Sequence, residues 1–262
     1  MLLSSNFYRA KCEKTEPKNF REFQALIERR STQIDPLNIF LDGRTAKKIF
    51  EDYQDFERKN KVVIYIHATD VIPSVEQFVK MHEFNFQIKS VNWLGDPQFC
   101  KAIPVGILSD QTHEMSRFLT SDRELLQEDV SRERRYRYYV NFDITTNISV
   151  RKQLLLMFHK RKDTYFPQSR LSVPEHFQAI RNSQFVISPP GAGPDCYRTW
   201  ESIYLGSNPV VMKNSWPFGQ EELPVTAIEN YKDFILQTEH SNLDSSSPAV
   251  ETIVRNLVEK FA

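Results

Sequence analysis

The stretch SQFVISPPGAGPDCYRTWESIYLGSNPVV (residues 183–211) has the residue types and spacing best suited to binding a charged ligand. Its apolar start ends in a loop of prolines and glycines, where Gly191 and Gly193 allow a ligand close to the backbone and permit a positive φ. Asp195 is placed to cap a helix that starts at Cys196. The first N–H groups of a helix are unpaired and lie at the positive end of its dipole. The sequence therefore predicts a phosphate-binding strand–loop–helix unit.

Arg198 and Glu201 follow this loop three residues apart, so they share one face of the predicted helix. The planar guanidinium of Arg198 is suited to binding a diphosphate through two parallel hydrogen bonds. Glu201 lies one turn further along, and its carboxylate can accept hydrogen bonds from a ribose diol. An ion pair between the two side chains explains the same spacing without any ligand, and spacing alone does not separate the two interpretations.

Short apolar strands alternate with amphipathic helices on both sides of a charged stretch near residues 120–137. The strand patterns lie at residues 37–41, 62–66, 86–91, 103–107, 138–142, 184–188, 209–212 and 225–228. Such alternation indicates parallel sheets that are covered on both faces. The expected fold class is therefore α/β, with an N-terminal lobe over residues 1–130 and a C-terminal lobe over residues 131–262.

The order of residues in the 183–211 stretch resembles the exostosin-like glycosyltransferases, which have the two-lobed GT-B architecture. Their C-terminal lobe carries a pattern of the form S-x-F-x-[IL]-x-P-x-G, followed by D-x-x-R-x-x-E-x-[IL]-x-x-G-x-x-P-V-[IV]. The matching residues here are Ser183, Phe185, Ile187, Pro189, Gly191, Asp195, Arg198, Glu201, Ile203, Gly206, Pro209, Val210 and Val211. A fainter resemblance covers residues 60–230, although both lobes are small for this family.

The resemblance implies two small Rossmann-like lobes with parallel sheets and a cleft between them. It also implies an inverting transfer of sugar from a nucleotide-diphosphate sugar to a glycan or another hydroxyl acceptor. By resemblance, Glu201 binds the nucleotide ribose, and Arg198 with the glycine loop binds the diphosphate or sugar. Thr146, Asn147 and Arg151 are expected to add a second phosphate or sugar contact, and a helix cap explains this polar turn equally well.

Direct displacement of the diphosphate needs a base that deprotonates the acceptor hydroxyl. His67 and Asp70 directly follow the apolar strand at residues 62–66, so they are the candidates for this catalytic role. The alternative is that Asp70 caps a turn and His67 packs beneath it. Asp110 is a second choice for the base.

We expect no metal ion and no cofactor besides the nucleotide sugar, which is itself the donor substrate. The histidines lack the spacing of a metal site, and the D-x-D motif of metal-dependent sugar transferases does not occur. Arg198, Arg151 and the amides at a helix N-terminus would then neutralise the departing diphosphate.

The composition limits the classes of partner and the cellular compartment that we expect for this protein. The chain has 34 Lys and Arg residues and 34 Asp and Glu residues, which argues against general nucleic-acid binding. No apolar run approaches the roughly 20 residues of a membrane span, and the N-terminal residues lack the pattern of a signal peptide. Three cysteines without a C-x-x-C pair indicate reduced thiols. We expect a cytoplasmic protein, with peripheral association at the inner face of a membrane and a lipid-linked glycan acceptor left open.

Two other functions fit the same sequence. One is a non-catalytic module that recognises a glycan or a protein partner on a fold of this kind. The other is a sugar-nucleotide epimerase or hydrolase.

Overall fold

A computed structural model describes residues 2–30, 35–56, 58–121, 134–219, 223–239 and 250–261. The chain divides into two compact units, Leu3–Val105 and Gly106–Ala262, and the second also takes in Met1–Leu2. The boundary predicted after residue 130 lies outside the described residues. No helix in the described ranges is both long and apolar enough to cross a membrane.

The N-terminal unit contains a parallel sheet whose four described strands have the order β1–β2–β3–β4. The strands are β1 (Leu37–Leu41), β2 (Val62–Ile66), β3 (Phe86–Ser90) and β4 (Lys101–Ala102). The helices are α1 (Ser5–Arg9), α2 (Phe20–Arg29), α3 (Gly43–Asp52) and α4 (Val75–Glu83). All five residues of β2 are buried, as a continuous apolar strand with paired neighbours on both sides requires.

Local signals start the helices of this unit. Asp42 caps α3 by accepting hydrogen bonds from two backbone N–H groups, and Ser74 starts α4 with a capping box. A Cβ atom on Gly43 would lie 1.6 Å from the carbonyl oxygen of Val71, so only glycine fits at that position. The expected α/β class with parallel sheets is therefore confirmed for this unit.

The strand predicted at residues 103–107 is wrong, because β4 covers only Lys101–Ala102. Pro104 has no N–H group for a strand ladder, and Gly106 has a φ of 67°. The apolar side chains of Ile103, Val105 and Ile107 are buried all the same. Apolar content thus predicted burial correctly but not strand pairing.

The C-terminal unit contains a second parallel sheet, whose five described strands have the order β6–β5–β7–β8–β9. The strands are β5 (Tyr136–Tyr139), β6 (Thr164–Tyr165), β7 (Ser183–Ile187), β8 (Asn208–Met212) and β9 (Thr226–Ile228). The helices are α5 (Thr112–Ser121), α6 (Ile148–Phe158), α7 (Val173–Arg181), α8 (Tyr197–Tyr204), α9 (Tyr231–Thr238) and α10 (Val250–Phe261). Gly206, at a φ of 71°, follows the end of α8 as the sequence predicts.

This strand order creates a crevice at the carboxyl edge of the second sheet. The chain leaves β5 towards β6 on one side of the sheet and leaves β7 towards β8 on the other side. The loops that follow the neighbouring strands β5 and β7 therefore diverge. In open α/β sheets, ligands bind at such a switch point.

The start of α8 differs from the prediction. The N-cap residue is Cys196, and no side chain caps the helix. Asp195 is buried instead, and its two carboxylate oxygens accept the indole N–H of Trp200 at 2.8 and 2.9 Å. Trp200 is fully buried against Trp216 and Phe218. Asp195 therefore anchors the core of the unit rather than capping the helix.

Replacing Trp200 by Phe should destabilise the protein by about 2 kcal/mol more than replacing Trp216 by Phe. Both changes remove an indole from the same buried cluster, but the Trp216 N–H has no hydrogen-bond partner among the described residues, whereas the Trp200 N–H bonds to a buried carboxylate. Urea denaturation followed by circular dichroism measures the difference. Equal losses would contradict a stabilising role for the Asp195–Trp200 bond.

Candidate functional site

A cleft of about 840 Å³ lies at the carboxyl edge of the second sheet. The loops after β5 and β6 and the first turns of α7 line it, together with Gln111, Leu155 of α6 and Arg198 of α8. The lining includes the apolar Val140, Phe142, Ile144, Leu155 and Phe166, the basic Arg170, His176 and Arg198, and the acidic Asp143. This volume is within the range of roughly 300–1,000 Å³ that small-molecule sites occupy.

Arg198 is the cation in this cleft that the sequence predicts. Its side chain is half-buried, and its guanidinium forms no hydrogen bond or ion pair with the described residues. The guanidinium carbon lies 5.8 Å from the centre of the Phe142 ring, which gives it a flat contact on one side. The ion pair between Arg198 and Glu201, which the sequence left open, is not formed. Arg198 is therefore available to an anion in the cleft.

Glu201 points away from Arg198 and into the protein. It is 5% exposed, and its Oε2 atom lies 3.0 Å from Nε2 of His176 on α7. The other ring nitrogen of His176, Nδ1, lies 2.7 Å from the hydroxyl of Tyr139. The oxygen of this hydroxyl accepts a hydrogen bond from the Asn141 side chain. Burial raises the pKa of Tyr139, so the phenol keeps its proton and can donate to His176.

His176 was not among the site residues predicted from the sequence. Its one local signal is a capping box formed by Ser172 and Glu175, which starts α7 directly before it. The strand order then brings the first turns of α7 to the carboxyl edge of the sheet, beside the loop after β5. Its neighbours in space, Tyr139 and Glu201, are 37 and 25 residues away along the chain.

Arg151 is buried in the crevice between the diverging loops, and protein atoms accept all five of its N–H donors. Nε donates to the carbonyl of Pro190 at 3.1 Å, and Nη2 donates to the carbonyl of Pro189 and the sulfur of Cys196 at 3.2 and 3.8 Å. Nη1 donates to the carbonyl of Asp143 at 2.7 Å and to the Thr146 hydroxyl at 2.5 Å. A guanidinium has five N–H donors in total, so none is left for a ligand.

The other residues predicted around this loop have structural contacts. A Cβ atom on Gly191 would lie 2.8 Å from Nη2 of Arg151, so glycine is needed there for close packing. Neither Gly191 nor Gly193 has a positive φ, so neither uses the backbone freedom that glycine permits. The Asn147 side chain accepts a hydrogen bond from Ser149 and does not cap α6. The structure thus brings Thr146, Arg151 and Gly191 together, and only Arg198 of the predicted ligand-binding residues lines the cleft.

The two candidates for the base lie in the N-terminal unit and have different surroundings. His67 is 1% exposed; its Nε2 lies 3.0 Å from the carbonyl of Pro104, and its Nδ1 accepts the N–H of Ala68 at 2.7 Å. Burial lowers the pKa of His67 to about 4. Asp70 is exposed. This geometry favours a packing role for His67, which is the alternative that the sequence left open. Asp70 remains accessible to solvent.

A search of the described residues found no group of three or more His, Cys, Asp or Glu side chains that could hold a metal ion. That the reaction needs no metal ion remains a prediction.

Comparison with known proteins gives one relationship. Residues 120–221, less than half of the chain, match the family model of the RXYLT1 C-terminal domain. No curated protein matches the chain. The family match relates this part of the chain, which contains Arg151 and every residue lining the cleft except Gln111, to exostosin-like glycosyltransferases.

Exchanging Arg151 for Lys should destabilise the protein by about 3 kcal/mol, because one ammonium group cannot reach acceptors on both loops and leaves buried carbonyls unpaired. The reverse exchange at the adjacent exposed position, Lys152→Arg, serves as the control and should change stability by less than about 0.5 kcal/mol. Chemical denaturation measures both variants. A loss no larger than that of the control would show that the Arg151 contacts do not hold the loops.

His67 makes the stability of the protein depend on pH. Burial disfavours its charged form in the folded state and so lowers its pKa from 6.5 to about 4. The unfolded chain therefore binds this proton more readily, and stability that is present above pH 6.5 is lost as the pH falls towards 4. Between pH 7.5 and 4.5, the wild type should lose about 2.5 kcal/mol more than a His67→Gln variant. Denaturation midpoints of the wild type and the variant, measured across this pH range, test the prediction. The same pH dependence in both proteins would rule it out.

Proposed function

We propose that the C-terminal unit binds the nucleotide-diphosphate part of a sugar donor in the cleft and that the protein is a glycosyltransferase. The observation that carries this proposal is the guanidinium of Arg198, a half-buried cation in a cleft of ligand size without an acidic partner among the described residues. A cation in such a position is stabilised when an anion binds next to it.

Three further features support an anionic ligand here. Arg170 also lines the cleft, so its lining has two guanidinium groups and the single carboxylate of Asp143. No side chain caps the N-terminus of α8, next to Arg198, and the positive end of the helix dipole favours a phosphate there. The cleft also lies beside the switch point of the sheet, where nucleotides bind in folds with this strand order.

The chemistry follows from the relationship to glycosyltransferases. The sugar is transferred by attack of an acceptor hydroxyl on the anomeric carbon as the bond to the diphosphate breaks. We propose inversion without a metal ion, with Arg198 balancing the charge that develops on the diphosphate. We propose Asp70 as the base that takes the hydroxyl proton, since its carboxylate is exposed. A glycan or lipid-linked glycan is the proposed acceptor.

A thermal-shift panel of UDP, GDP, CMP and dTDP sugars tests the donor, because a ligand that binds the folded state raises its stability. We expect one nucleotide class to raise the melting temperature. Arg198→Gln should weaken that binding roughly 10- to 100-fold, since a hydrogen bond to a charged group contributes about 1.5–3 kcal/mol. It should leave the unliganded stability nearly unchanged, because the guanidinium forms no hydrogen bond or ion pair with the described residues.

Arg135→Gln is the matched control, since Arg135 is an exposed arginine of the same unit that does not line the cleft. Its nucleotide affinity should equal that of the wild type. No shift with any nucleotide sugar would contradict the proposal and favour a non-catalytic binding module. Formation of free sugar or an isomerised donor without an acceptor would favour a hydrolase or epimerase.

A further inference from the structure

His176 lies between the cleft and the carboxylate of Glu201. The His176 side chain is 17% exposed and lines the cleft, whereas the Glu201 side chain is 7% exposed and does not line it. Arg198 lines the same cleft, one helical turn before Glu201 on α8. A ligand bound next to Arg198 therefore meets the imidazole of His176 before it reaches the carboxylate of Glu201.

The hydrogen bonds around His176 fix both the tautomer and the orientation of its ring. The Glu201 carboxylate only accepts, so Nε2 of His176 carries the proton that it donates. With the proton on Nε2, Nδ1 accepts the O–H of Tyr139, and the oxygen of Tyr139 accepts an N–H of Asn141. Each member of the chain has a partner of the right kind. A buried carboxylate behind a histidine holds the ring in place in this way at many functional sites.

We infer that His176 contacts the ligand through the surface of its ring, since both ring nitrogens are bonded to the protein, and that Glu201 is the positioning residue that holds the ring. The glutamate of the 183–211 stretch thus acts on the bound nucleotide through the imidazole, not by direct contact with the ribose. The inference rests on the proposed function, since it takes a nucleoside diphosphate as the ligand. It assigns a ligand contact to a residue that lies outside that stretch.

The two ways in which Glu201 can act predict different effects of the same variants. Glu201→Gln keeps an oxygen that accepts the Nε2 proton of His176, so a positioning role leaves nucleotide affinity within about threefold of the wild type. A direct contact with the ribose diol would instead lose the carboxylate that accepts both hydroxyl protons. That loss would lower the preference for a ribonucleotide over its 2′-deoxy counterpart.

A double-mutant cycle measures the coupling between the two residues. Glu201→Leu removes the acceptor and should lower affinity about tenfold, as should His176→Ala alone, and the double variant should bind no more weakly than His176→Ala. The probes are UDP and GDP, each with its 2′-deoxy form, titrated by isothermal calorimetry against the full chain. Thermal unfolding of each variant establishes that it is folded.

The outcomes separate the possibilities. Affinity and ribose preference retained in Glu201→Gln, together with full coupling in the cycle, support the inference. Loss of the ribose preference in Glu201→Gln, or independent effects of the two positions, would overturn it while leaving the nucleotide site intact. If Glu201→Leu fails to fold, the isosteric Glu201→Gln variant still decides through the ribose preference. If neither diphosphate binds the wild type, the proposed function fails and the inference fails with it.

Discussion

The site depends on one buried guanidinium. Arg151 joins the loop after β5 to the loop after β7, the two loops that diverge at the switch point of the second sheet. A buried charge is stable only where its donors are satisfied, and here carbonyl, hydroxyl and thiol groups accept all five. The loop after β7 contains Pro189, Pro190 and Pro194, which have no N–H groups to pair with a neighbouring loop. The arginine side chain supplies the cross-link that a backbone ladder would otherwise provide.

The cleft beside this crevice takes its shape from the same link. Phe142 lies in the loop that Arg151 holds through the carbonyl of Asp143, and both Arg151 and Arg198 approach its ring, at 5.4 and 5.8 Å. The two guanidinium groups share this aromatic neighbour but differ in their hydrogen bonds. Arg151 donates all five of its N–H groups to protein atoms, whereas the guanidinium of Arg198 forms no hydrogen bond with the described residues. Hydrogen bonding, not residue type, therefore distinguishes the structural arginine from the one that lines the cleft.

The sequence predicted the fold better than the roles of individual side chains, for a physical reason. The strand β2 is a continuous apolar run, and its burial on both faces follows from its local composition. The strand expected at residues 103–107 fails because Pro104 and Gly106 override apolar content. Asp195 caps no helix because its carboxylate bonds to the indole of Trp200, five residues further along the chain. The role of Arg151 depends on carbonyls 38 and 39 residues away, so it could not be derived from local spacing. The role of His176 could not be predicted for the same reason, since its partners come from β5 and α8.

The spacing of Arg198 and Glu201 shows how far such a pattern can be taken. Three residues on a helix place two side chains on one face, about 4.5 Å apart along the axis. That face was expected to carry either an ion pair or two contacts to one ligand. In the folded unit, the first position reaches the cleft at the edge of the sheet, while the second is buried against α7 and pairs with His176. One helical turn is enough to pass from the cleft to the interior, so the shared face connects two environments. The pair therefore has two separate roles in this unit: Arg198 presents a cation to the cleft, and Glu201 is a buried carboxylate that holds the ring of His176.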